Sequence, residues 1–268
     1  MRNPDKEAVV HQESLLRDST SKRVATRLAV AENSETPPGI IERLAVDPSK
    51  RIRRAVAVRS DLTRTVLNKL ASDDDRDVRE AVAANPATSR EDLIRLVGDP
   101  HPHVRWKVAD NPGCDENVQR AICASPDENL RFKLVYRKDL ALDVAAALVA
   151  DSSVNVRSEL AFETADPVAL AALSADSVAK VRAGAAMNAR TTAEQRRVLA
   201  RDRSALVRSA LVRAVTLEEE DLQRLARDRS VEVRWWMATA LITPPHIRAI
   251  LRQDPDASVR SQAEHPSC

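Results

Sequence analysis

Aliphatic residues recur four apart in short bursts along this chain: Ile52 and Val56, Val78 and Val82, Val104 and Val108, Val207 and Leu211. That spacing stacks two side chains on one face of a helix. A second set of bursts alternates with the first: Ile41 and Leu44, Val66 and Leu70, Leu93 and Leu96, Leu222 and Leu225. No period-two run is long enough for a strand. The pattern predicts pairs of short helices of about ten residues, joined by short turns and repeated at a constant interval.

A column of arginines fixes that interval. Arg27, Arg53, Arg79, Arg105, Arg131, Arg157, Arg182, Arg208, Arg234 and Arg260 follow one another at steps of 26 residues, with a single step of 25. The residue before each is aliphatic, from Ile52, Val78 and Val104 to Val259, except Thr26. Six residues before the arginine stands Asp47, Asp73, Asp99, Asp151, Asp176, Asp202, Asp228 or Asp254, with Ser21 and Ser125 in the other two repeats. The best-formed units read D-P-x-x-x-V-R-x-x-V-A-x-N-P, as in residues 99–112.

Local signals mark the helix ends. Asp or Ser at the start is expected to act as an N-cap, with Pro48, Pro100, Pro126 and Pro255 next, where a missing N–H costs nothing. Asn33, Asn85, Asn111 and Asn188 are expected to end the first helix in a left-handed cap. Thr88 with Glu91, Thr191 with Glu194 and Thr216 with Glu219 have capping-box spacing for the second helix. Thr36-Pro37-Pro38 and Thr243-Pro244-Pro245 are proline-marked starts. Such a unit buries its apolar face only against its neighbours, so the expectation is an all-α solenoid of about ten two-helix repeats. Residues 1–20, with Val9, Val10, Leu15 and Leu16, are expected to form an N-terminal cap on a single solenoid spanning 21–268.

This unit, with T-P-x-x-x-L-x-x-L-A after it, resembles the leucine-rich repeat variant family over about residues 20–266. It is more distantly similar to HEAT repeats, which share an Asp and an Arg six positions apart. The resemblance implies a right-handed superhelix of α-helices alternating with short α or 3₁₀ helices. One member type carries an iron–sulfur cluster on an N-terminal cysteine-rich segment. Here the first cysteine is Cys114, followed only by Cys123 and Cys268, so no cluster or other cofactor is implied.

The arginines have two readings. A guanidinium column could grip phosphates. But eight of the ten arginines come with an acid, and six helical positions put the two on different sides of one helix. The expectation is therefore a structural ladder, in which Arg53, Arg79, Arg105, Arg131, Arg157, Arg182, Arg208 and Arg234 reach caps of adjacent units.

Composition removes several functions. The formal net charge is +2, which lacks the plainly basic face of a dedicated nucleic-acid binder. Charge is uneven: net +4 over 1–60, −6 over 61–172 and +4 over 173–268. The longest apolar run, residues 144–150, falls far short of the ~20 residues of a membrane helix. The charged start, Met1 to Glu7, does not resemble a signal peptide, so a cytoplasmic location is expected. Only four glycines are present, with no phosphate-binding loop, and no histidine has a nucleophile in a recognisable motif.

Six aromatic residues remain, and five share a strip. Counting the ladder arginine as zero, Trp106, Phe132 and Trp235 stand at +1, and Tyr136 and Phe162 at +5, stacked on one helical face. Lys107 and Lys133 lie beside them at +2. Trp106, Lys107, Phe132, Lys133, Tyr136 and Phe162 are thus candidates for a surface that binds a protein or peptide. The alternative is packing, in which large side chains fill space between repeats; Trp236 at +2 is expected to be such filler. Some DNA glycosylases are built from HEAT-like repeats. Trp106 and Asp110, four apart, could in principle stack a displaced base and stabilise a sugar cation. The acidic segment around them disfavours nucleic acid. The expected function is a non-catalytic scaffold.

Overall fold

The computed structural model describes the backbone of residues 4–214, 216–240 and 243–265, with side chains from residue 11 onward. Val9 and Val10, as side chains, and Cys268 lie outside the described residues. Among the described residues there are twenty helices and no strand. The chain forms two compact units, residues 1–134 and 135–268.

Each unit is an α-solenoid. In the first, α1 (Pro4–Asp18) precedes first-layer helices α2 (Val24–Glu32), α4 (Lys50–Ala57), α6 (Arg76–Ala84), α8 (Pro102–Asp110) and α10 (Glu128–Leu134). These pack in file, each on the next. Behind them run α3 (Pro38–Leu44), α5 (Arg64–Leu70), α7 (Arg90–Val97) and α9 (Glu116–Cys123). In the second unit the first layer is α12 (Val154–Glu163), α14 (Ala179–Met187), α16 (Ala205–Ala214), α18 (Val231–Thr239) and α20 (Ala257–Glu264). Its second layer is α11 (Leu142–Val149), α13 (Pro167–Ser174), α15 (Ala193–Leu199), α17 (Glu219–Leu225) and α19 (Pro245–Leu251). The described second helices are α-helical. Thr63, Ser89, Asp115 and Asp166 cap four of them, and proline opens α3, α13 and α19.

The core follows the period. Ile52, Val78, Val104, Leu130, Val156, Val181, Val207, Val233 and Val259, each just before a ladder arginine, are all 0% exposed. Position +3 closes over them with Val56, Val82, Val108, Leu134, Leu211 and Met237. In α1, Leu15 is buried and Leu16 exposed. The tightest helix contact lies between α12 and α14. A Cβ at Gly184 would overlap the Ser158 carbonyl oxygen, so only glycine permits that approach.

The arginines join successive repeats. Arg27 Nε donates to Asp47 at 2.6 Å, Arg53 to Asp73 at 2.6 Å, Arg79 to Asp99 at 2.6 Å and Arg105 to Asp127 at 2.8 Å. In the second unit Arg157 meets Asp176 at 2.8 Å, Arg182 meets Asp202 at 2.6 Å, Arg208 meets Asp228 at 2.6 Å and Arg234 meets Asp254 at 2.7 Å. Where Ser125 replaces the usual aspartate, Asp127 takes the bond two residues later. Every ladder arginine, from Arg27 to Arg260 and including Arg131, also donates Nη1 to the carbonyl six residues before it. The guanidinium thus ties its own helix start to the next repeat.

The aspartates do this because they are not N-caps, contrary to expectation. The first helices begin three residues later, behind Ser49, Asp75, Ser153 or Ser230. Asp47 Oδ1 instead accepts from the backbone N–H of Ser49, Asp73 from Asp75 and Asp228 from Ser230. That turn points the carboxylate at the preceding repeat. Pro100 accordingly sits in the turn, and Pro102 opens α8.

Two further end signals work differently from their sequence reading. Asn85 ends α6 with φ −74° and ψ 124°, an extended cap, not a left-handed one. Its Nδ2 donates to the carbonyls of Ala57 and Arg59 in the previous repeat. Asn111 and Asn188 do the same one repeat back. Arg59 occupies this column in another repeat, and its guanidinium satisfies Ala31 and Asn33. The expected threonine caps are displaced, by one residue at Thr88 and Thr191 and by two at Thr216. Thr88 is buried and donates to the Val82 carbonyl, leaving Ser89 to cap α7. Thr192, not Thr191, forms the capping box with Gln195, and Glu218 precedes α17.

Removing a ladder fork leaves a buried carboxylate and a carbonyl without their donors. Arg157→Ala is expected to cost about 1–3 kcal/mol in chemical or thermal unfolding. An unchanged melt would show that the ladder carries no stability.

The ladder also sets a pH response. Burial alone would raise Asp202 and Asp228, but the Arg182 and Arg208 guanidinium groups with the backbone N–H donors outweigh it and hold both below the usual carboxylate range. Asp47, Asp176 and Asp254 behave alike. Their contribution is complete above the unfolded value of about 3.9 and is lost as pH falls through the lower folded values. The melting temperature should therefore stay level from pH 7 to about pH 5 and fall below about pH 4. A scan that rises on acidification would contradict this assignment.

Candidate functional site

Core packing uses positions −1, +3 and +4 of the first helices, the last filled by buried residues such as Ala57, Ala83, Ala161 and Ala238, and the two ladders use zero and +6. Positions −2, +1, +2 and +5 are left over, and in both units they line a groove. In the first unit Leu28, Arg54 and Glu80 at +1 and Glu32, Val58 and Ala84 at +5 border a hollow of about 850 Å³. It is strongly charged: Lys50 pairs with Asp75 at 2.9 Å, and Arg51, Asp77 and Lys107 stand on the same face.

The second unit has a groove of about 410 Å³ with a different lining. Ser158, Ala183 and Ser209 occupy +1, Phe162, Met187 and Arg213 occupy +5, and Gly184, Ala210 and Trp236 occupy +2. Phe162 is 41% exposed and Leu206 49%. The Arg213 guanidinium lies over the Trp236 ring, 4.2 Å from its centroid. Trp236 was expected to be filler. It is half-buried and packs against the core as expected, and it also lines the groove, because the +2 position borders both.

The six candidate residues divide between the units. In the first, Trp106 is half-buried on α8 and rests edge-on against His103, with ring centroids 4.9 Å apart. Its indole N–H is buried without a hydrogen-bond partner. Phe132 is half-buried on α10, and Lys107 is exposed. Lys133 Nζ bonds both oxygens of Asp110, at 3.1 and 3.2 Å. The Asp110 carboxylate considered for sugar-cation chemistry is thus held in an ion pair with Lys133. In the second unit Tyr136 is 53% exposed, and its hydroxyl donates to Glu159 at 2.6 Å. That bond to a carboxylate, with some burial, pushes the Tyr136 phenol up to about 12.

Sequence reading missed Trp236, Met187, Leu206 and Arg213. A usable signal was present. Ala183-Gly184 and Ser209-Ala210 place small residues at +1 and +2 of successive repeats, between larger ones, which hollows the face. Among the described residues no group of three or more His, Cys, Asp or Glu side chains could hold a metal ion. No described helix is long and apolar enough to cross a membrane.

The family model described as leucine rich repeat variant matches residues 24–49 and 76–101, two of the repeats defined by the arginine column. A solved leucine-rich repeat variant, described as having a novel repetitive structural motif, superposes with a TM-score of 0.55 at 24% identity. The match covers 77% of this chain and 83% of that one. It is a likeness of fold. A designed armadillo repeat protein aligns over 94% of this chain and 97% of its own, at 15% identity and a TM-score of 0.19. No curated protein matches.

The burial pattern gives a direct contrast. Trp106→Ala should cost about 2 kcal/mol, below the range for a fully buried tryptophan, because part of the ring is packed. Phe162→Ala should stay within about 1 kcal/mol of the parent, since its ring faces the groove. Paired denaturant melts measure both, and equal losses would mean that the two rings sit in equivalent surroundings.

Proposed function

We propose that this chain of leucine-rich-repeat-variant units is a non-catalytic scaffold that binds a protein or peptide through the outward face of its first helices. The observation that carries the reading is the lining of the grooves. The same four positions border both, and they lie outside the apolar rows at −1, +3 and +4 and outside the arginine column, although Ala183 and Ala210 also touch the core. No one side chain is required there in every repeat, and the residues vary from charged to aromatic, as expected of a recognition surface on a repeat frame. Trp106, Lys107, Phe132 and Lys133 are the contacts proposed in the first unit, and Tyr136 and Phe162 in the second. Half-exposed aromatic rings suit such contacts, since docking removes apolar surface from water at little cost in side-chain freedom.

A partner captured from native lysate, then purified and titrated calorimetrically, tests this. Trp106→Ala/Phe132→Ala or Phe162→Ala should weaken it by about 2 kcal/mol or more, as at a hot spot. Lys69→Ala, on an exposed second-helix position, should leave affinity unchanged. Equal affinity for all variants would place the partner elsewhere. Binding lost only in step with thermal stability would reduce the aromatic face to packing.

A further inference from the structure

Resting on that reading, we infer that the second unit's groove takes an extended peptide of a partner protein, with an acidic residue set among bulky apolar ones. The charge argument comes from Arg213. Its guanidinium carbon lies over the Trp236 ring, 4.2 Å from the centroid, a contact that consumes none of its N–H donors. No carboxylate of the described residues pairs with it, although the same groove holds Glu159 and Glu232. Glu159 is occupied by the Tyr136 hydroxyl, and Lys180 Nζ by Asn155 at 2.6 Å. Arg213 is thus a positioned cation with unused donors, and a ligand carboxylate is the group that matches it bidentately.

The shape argument comes from the neighbouring positions. Ala183, Gly184 and Ala210 form a floor of small side chains. Phe162, Met187, Leu206 and Trp236 stand around it. A volume of about 410 Å³ accepts a few apolar side chains, not a folded domain. The groove crosses four successive first helices, α12 to α18. At about 9 Å between packed helices this spans roughly 27 Å, the length of about eight residues of extended chain. A helix laid there would meet a floor only as wide as two small residues per repeat, whereas an extended chain presents one side chain per hollow.

The test is a peptide selection. A displayed library of random twelve-residue peptides is panned on the full chain, and selected peptides are measured by fluorescence anisotropy. Selected sequences should share an Asp or Glu within two positions of a Leu, Ile, Phe or Trp. Arg213 is exposed, so Arg213→Glu should leave the melt unchanged while weakening binding by about tenfold or more. Replacing the acidic peptide residue with Lys should restore affinity for that variant. Trp106→Ala/Phe132→Ala, in the first unit, should have no effect on these peptides. Selected peptides without an acidic residue, or indifferent to Arg213→Glu, would overturn the inference, as would a selection that returns no binder. A natural partner that binds Arg213→Glu at full affinity yet is lost on Trp106→Ala/Phe132→Ala would leave the scaffold reading intact and remove this one.

Discussion

A guanidinium fork shared between two repeats organises everything else in this protein. Eight of the ladder arginines have their own helix start on one side and an aspartate of the following repeat on the other. Each of these meets the first through a backbone carbonyl and the second through a carboxylate, so the full fork closes only when both repeats are in register. The carboxylate is prepared for this role by a turn of its own, in which one oxygen closes on a backbone N–H two residues on. Most of these side chains are nearly shut off from water, and a lone charge there would be costly. Pairing is therefore a condition for packing the repeats. Its net energy over an apolar substitute is secondary to the register it imposes.

That constraint divides the first helix by function. One position carries the fork, three carry the apolar core, and one carries a side chain that satisfies carbonyls of the previous repeat. Asparagine fills the last role in three repeats and Arg59 fills it in another, which shows that the requirement is for a donor of sufficient reach. The remaining positions point into the grooves and are under no common demand. One unit has filled them with charge, and the other with small residues flanked by large apolar ones.

Much of this was legible in the sequence because it is periodic. The arginine repeats ten times, the aliphatic residue before it nine times and the helix pair nine times among the described residues, and repetition makes a weak local signal strong. What sequence reading lost was single-residue detail. Asp47 and its equivalents have the chemistry of an N-cap, and only the turn after them reveals that Ser49 or Asp75 caps instead. Thr88 and Ser89 are equally good caps on paper; burial of the first decides for the second. The asparagines looked like left-handed caps because that is their common use, but here their side chains bond across to another repeat. The groove around Arg213 and Trp236 was illegible for a different reason. It depends on residues from four repeats that do not repeat, and no column marks them.

The ladder bond spans 20 residues in most repeats, 19 between Arg157 and Asp176, and 22 between Arg105 and Asp127. It therefore tolerates a residue gained or lost in the second helix or its turns, provided the carboxylate still arrives at the fork. The single 25-residue step in the arginine column falls within the shortest of these spans. A tandem gain or loss of one whole period would replace each bond by an equivalent one and expose no new unpaired charge inside the stack. The number of repeats is thus only loosely fixed by folding physics, and such a chain can lengthen or shorten by recombination between its own repeats while each intermediate still folds.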